Sequence, residues 1–300
     1  MSWEVPRRDI RLVEQIGKGS YVEIWKGRIR KSPNTNEIVR VCIKKLNSNE
    51  KEKRFFVSEL EVLKMIKTHT NVIRLAGSYT ANEPWLMMLE LATEGTLQEF
   101  LLHEGGVRLR SQSLSAHKLL ALTAQTASGL AHLKKFKLIY YRLRSASVLC
   151  SKGGICKLSG FGFAQDITDR NMYEPASAPT RWMSPESLVE NIYNIQTDIW
   201  SFGILIWEIF HFGITPYPSM GPQEVLEKVH SGYRMPRPNH MSPELYHVML
   251  SCWNSNPDDR PGYEYILDRL TVMASNHAAH IFMEKLPEFV KAGDGLDIMS

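Results

Sequence analysis

The residues best suited to chemistry in the first part of the chain are Gly17-Lys18-Gly19, Lys44 and Glu59. Glycines let backbone amides approach a phosphate, a lysine neutralises it, and a carboxylate can hold that lysine in place. By themselves Gly17 and Gly19 would equally make a hairpin turn. A dinucleotide fingerprint needs a third glycine, a helix directly after it and an acidic residue about 20 positions on. Position 22 is instead Val, and the residues after it alternate as a strand does, so a dinucleotide-binding enzyme is excluded.

Two textures position these groups. Residues 10–92 read as strands at 11–16, 22–30, 38–46, 72–79 and 85–90, with a helix at 50–66. Lys44 ends the β-branched run Val41-Cys42-Ile43, while Phe55, Glu59, Val62, Leu63 and Ile66 recur at helical steps. From residue 96 the chain reads as helices at 97–102, 116–135, 197–212, 222–230, 243–253 and 263–274. Short strand pieces at 147–150 and 155–158 interrupt them. The spacing therefore predicts a β-rich small lobe within residues 1–92, an α-rich large lobe over 93–275 and a tail over 276–300.

The order glycine loop, strand, Val41-Cys42-Ile43-Lys44, helix with Glu59 resembles the ATP-binding lobe of protein kinases. Later segments resemble the tyrosine-kinase branch. They are Pro179-Thr180-Arg181-Trp182-Met183-Ser184-Pro185-Glu186, Asp198-Ile199-Trp200-Ser201-Phe202-Gly203 and Pro257-Asp258-Asp259-Arg260-Pro261. The resemblance covers roughly residues 8–275 and implies an α+β, bilobal protein-kinase fold. It implies that Ile24, Cys42 and Leu149 flank an adenine slot, with Leu89 at the gatekeeper position before Glu90. It also implies that Leu63, Leu75, Tyr140 and Phe161 stack between the lobes, that Asp198 holds the catalytic-loop backbone, and that Glu186 pairs with Arg260.

The positions that should carry phosphoryl transfer differ. That reaction needs a carboxylate at the acceptor hydroxyl and ligands for magnesium. On the pattern H-R-D-L-x-x-x-N, the segment Tyr140 to Ser147 keeps only Leu143. Arg142 stands for the carboxylate and cannot accept a proton near neutral pH. Ser147 stands for the asparagine, and Gly160-Phe161-Gly162 stands for D-F-G, removing a metal ligand outright. Val22 replaces the third loop glycine, and Cys42 replaces the small alanine of the adenine slot. Asp166 and Asp169 lie downstream as poor substitutes.

With 36 basic and 32 acidic residues the net charge is +4, too mild to indicate nucleic acid. Apolar content of 43% excludes wholesale disorder, and the longest apolar stretch, 199–210, is broken by Ser201 and Glu208 and is too short to span a bilayer. Four cysteines without CxxC spacing, and no secretion signal after Met1, fit a reducing, cytoplasmic setting.

The expectation is a tyrosine-kinase-like pseudokinase acting as a signalling scaffold, with a slow or unconventional kinase as the alternative. No cofactor is expected: ATP binding is weak or absent, without a magnesium requirement, and Gly17, Gly19, Ile24, Cys42, Lys44, Glu59, Leu89 and Leu149 are vestigial. The resemblance implies protein partners, among them an active kinase acting in trans on Tyr173, and membrane attachment through a receptor region outside these residues.

Overall fold

The computed structural model describes residues 3–19, 21–32, 35–46, 50–107, 115–166 and 179–285. Strands β1 (Ile10–Lys18), β2 (Val22–Ser32), β3 (Thr35–Leu46), β4 (Leu75–Tyr79) and β5 (Leu86–Glu90) form one antiparallel sheet in the order β1-β2-β3-β5-β4. Helix α1 (Glu50–Met65) crosses between β3 and β4. Its residues Phe56, Glu59, Leu60 and Leu63 recur at three- and four-residue steps and are all buried. Glu59 is therefore carried on the apolar face, beneath the sheet.

The outer edge of β4 is covered by the chain's own start. The Val5 amide donates to the Ser78 carbonyl at 2.8 Å, and the Ser78 amide donates to the Trp3 carbonyl at 2.7 Å. Glu4 completes the attachment by accepting from the Thr80 amide at 2.8 Å. An open strand edge is thereby paired.

The large lobe holds α2 (Leu97–Val107), α3 (Ala116–Lys134), β6 (Leu138–Ile139), β7 (Val148–Ser151), β8 (Ile155–Leu158), β9 (Gln165–Asp166) and α4 (Pro185–Glu190). It continues through α5 (Ile195–Phe210), α6 (Pro222–His230), α7 (Pro243–Cys252) and α8 (Tyr263–Ser275). β6 pairs with β9, and β7 with β8. Every residue of α5 from Thr197 to Phe210 is buried, as expected of a helix apolar on all sides. Burying one of its large side chains contributes about 1.5–3 kcal/mol. Asn194 and Thr197 start α5 with a reciprocal capping box, both bonds at 3.1 Å. Two carboxylates, Asp198 and Glu208, ride into the core on this helix.

The structure departs from the sequence reading in several places. The strand expected from residue 72 begins at Leu75, because Val72 and Ile73 pair instead with Leu158 of β8 and tie the two lobes together. Helix α2 extends beyond residue 102 to Val107, through Gly105 and Gly106. The six-residue α4, too short for a periodic signal, is set by Ser184 capping the Ser187 amide and by Pro185 in its first turn. Beyond α8, residues of the expected tail dock on the large lobe: Ile281 is buried and bridges Met241, and the Phe282 amide donates to the His240 carbonyl at 2.8 Å.

Candidate nucleotide cleft and catalytic loop

Strand register places the small-lobe residues that the kinase resemblance assigns to the nucleotide cleft. Ile24 lies opposite Lys44 between β2 and β3, and Cys42 lies opposite Leu89 between β3 and β5. Burial pushes the Cys42 thiol above its usual range. Leu149 on β7 pairs with Lys157 and bridges Thr96, and, like Ile24 and Cys42, it packs partly buried against the core that the two lobes share. Lys44 Nζ meets Glu59 Oε1 at 2.6 Å, with the lysine side chain 12% exposed and the glutamate fully buried. The lysine–glutamate pair read from the sequence is thus formed.

The glycine turn is folded inward. The Gly19 amide donates to the Val22 carbonyl at 2.7 Å, and Val22 is 4% exposed. Between them Tyr21 turns into the cleft, where its hydroxyl donates to Glu59 Oε2 at 3.2 Å. Burial, then the neighbouring Glu59 charge, raises its pKa. Its ring lies 5.8 Å from that of Phe55 on α1, which lies 4.7 Å from that of Phe163. The Arg142 guanidinium sits over Phe163 at 4.3 Å. The sequence places Phe55 only in the periodic pattern of its helix and assigns no role to Tyr21 or Phe163. The available signal was an aromatic residue two positions after Gly19.

The turn after β8 depends on two glycines. Gly160 has φ 75°, a left-handed conformation costly for most side chains. A methyl group at Gly162 would collide with the Tyr21 hydroxyl and press on the Phe55 carbonyl.

The catalytic loop is intact as a scaffold. Asp198 accepts from the Tyr140 amide at 2.5 Å and the Tyr141 amide at 2.8 Å. Desolvation pushes its pKa up to about 7. Glu208 accepts from the Ser145 amide at 3.0 Å, the Ser145 hydroxyl at 2.5 Å and the Trp182 indole at 2.8 Å, and desolvation likewise raises it to about 7. The Tyr140 hydroxyl donates toward the Ser147 and Ser159 carbonyls, and its ring meets Phe161 edge-on at 5.5 Å. With Leu63 and Leu75, these rings belong to one buried cluster joining the lobes.

Chemistry at the expected reaction centre is different. Arg142 is half-buried, and desolvation followed by the Arg144 charge lowers its pKa. Ser147 spends its hydroxyl within its own turn, donating to the Arg144 carbonyl at 2.7 Å and accepting from the Arg144 amide at 3.1 Å. A guanidinium, a residue without a side chain and an engaged hydroxyl do not suit a hard divalent cation. Among the described residues no group of three His, Cys, Asp or Glu side chains could hold a metal. Asp169 and Tyr173 lie outside the described residues.

The family model for protein tyrosine and serine/threonine kinases matches residues 10–270. The chain belongs to the protein kinase family. Its relatives place this kinase domain on the tyrosine branch. It is 34% identical over 297 residues to the tyrosine kinase receptor Cad96Ca of Drosophila melanogaster, covering 95% of this chain and 38% of that protein. It is 35% identical over 288 residues to the tyrosine-protein kinase SRK3 of Spongilla lacustris, covering 95% of this chain and 82% of the relative. Against the myoblast growth factor receptor egl-15 of Caenorhabditis elegans, identity is 33% over 299 residues, covering 90% of this chain and 29% of that receptor. The kinase domain thus spans well under half of either receptor.

Proposed function

We propose that this kinase-fold domain is a protein-binding signalling module and does not transfer phosphate. The observation that carries the reading is Arg142, a cation seated on Phe163 at the position where phosphoryl transfer needs a carboxylate. Gly160 and Ser147 support it, since neither offers a charged oxygen to magnesium. The intact Asp198, Glu208 and Lys44–Glu59 contacts support a folded scaffold. The receptor relatives support a location next to a membrane, on a region outside these residues. Its partners in this reading are proteins, including an active tyrosine kinase acting in trans.

Purified protein, freed of accompanying kinases and incubated with radiolabelled ATP and magnesium, should incorporate no more label than the Lys44→Met variant. Incorporation that depends on Lys44 would establish the slow-kinase alternative and end the scaffold reading.

A further inference from the structure

A tyrosine in a tight turn between two strands ordinarily faces water. Tyr21 does not, being 8% exposed. Its hydroxyl shares the Glu59 carboxylate with Lys44, the amine that the kinase resemblance assigns to the phosphates. The space beside that amine is therefore filled by the chain itself. Four segments hold the ring there: the β1–β2 turn with Tyr21, α1 with Phe55, the turn after β8 with Phe163, and the catalytic loop with Arg142. Gly162 completes the fit, because only a residue without a β-carbon leaves room for the hydroxyl.

We infer that Tyr21 closes the nucleotide cleft from within, as an occupant that any ligand with an anionic arm must displace. Arg142 then has a positive role. By stacking on Phe163 it braces the large-lobe end of the closure, so the residue that replaces the carboxylate also helps shut the cleft. Opening is a separate step, and the apparent affinity of a ligand is its intrinsic affinity multiplied by the open fraction. The closure stands apart from the loss of phosphotransfer, since it rests on ring contacts and burial rather than on which groups could activate a hydroxyl.

Two variants open the cleft by opposite routes. Tyr21→Ala removes the occupant. Gly162→Ala keeps the tyrosine and pushes it out, and Gly162 is not among the glycines with positive φ, so alanine suits the backbone. Tyr21→Phe, which keeps the rings and drops the bond to Glu59, serves as the folded control. The readouts on the full chain are amide hydrogen exchange over residues 17–24 and binding of fluorescent trinitrophenyl-ATP in EDTA. Exchange of those amides should rise about tenfold in both opening variants. Their affinity for the probe should exceed that of the unaltered chain by about tenfold. Equal exchange in all chains, or an unaltered chain that binds the probe as tightly as Tyr21→Ala, overturns the inference. Phosphate transfer by any of them would count against the proposed function alone.

Discussion

Asp198 holds Tyr141 in a left-handed backbone conformation: its carboxylate accepts the Tyr141 amide at 2.8 Å while φ there is 74°. That conformation costs a non-glycine residue about 1–2 kcal/mol, so a compensating contact is needed. The adjoining Tyr140 amide donates to the same carboxylate. Asp198→Ala would strand one buried and one partly buried amide, each buried unpaired amide costing about 1–3 kcal/mol, and urea unfolding should show a loss on the order of that scale.

Asp198 and Glu208 also give stability a pH dependence. Each folded pKa, about 7, lies above the ordinary carboxyl value. The folded state therefore binds more protons, and stability from these groups is full near pH 4 and is lost as pH rises through 7. Glu208→Gln should flatten that decline, with a change on the order of 1–2 kcal/mol between pH 5 and 8 in denaturant titrations. A steeper decline in the variant would refute the assignment.

His211 slopes the other way. Burial lowers it to about 4, and its Nδ1–H donates to the Trp207 carbonyl at 2.8 Å, so the folded state holds a neutral ring. The unfolded chain binds the extra proton, and stability falls as pH drops from about 6.5 toward 4. His211→Gln should lose part of that acid sensitivity, measured as melting temperature at pH 7 and pH 5.

Glu186 and Arg260 form a buried pair with contacts of 2.5 and 3.0 Å, and Arg260 also donates to the Gln196 and Asn254 carbonyls. Arg260→Met should cost about 3–5 kcal/mol, because it leaves a carboxylate without its partner. Restoring the interaction with lysine should recover only part, since the two-pronged geometry is lost.

Arg142→Asp combined with Gly160→Asp should not create a kinase. Val22 and Ser147 remain, and Tyr21 still fills the space beside Lys44. Radiolabel incorporation should stay at the level of the parent chain. Removing the Arg142 cation should instead loosen the Phe163 end of the cleft, visible as faster amide exchange near residue 163.

Much of the arrangement could be read in advance where a local pattern coincided with its tertiary use. The glycine turn, Lys44, Glu59 and the buried α5 carry periodic or ordered signals, and the Lys44–Glu59 and Glu186–Arg260 pairs form as the order of motifs implies. The helix over 50–66 and the observed Glu50–Met65 differ by one residue. What stayed hidden was contact between segments far apart in sequence. Tyr21 carries no mark of its inward turn, because burial of a turn aromatic is decided by Phe55, Gly162 and Phe163. The Val72–Leu158 pairing was likewise invisible, since β-branched residues predict a strand without naming its partner.

The docking of residues 277–283 sets a practical limit on how this domain can be produced. A chain cut after Ser275 would lose Ile281 from above Met241 and leave the His240 carbonyl without the Phe282 amide. It would also strip His280 from the Ser242 hydroxyl that caps α7, a contact of 3.1 Å. Shortened versions ending at the last long helix would present a fresh apolar face and an uncovered backbone. They should clump at concentrations where versions reaching Lys285 stay dispersed.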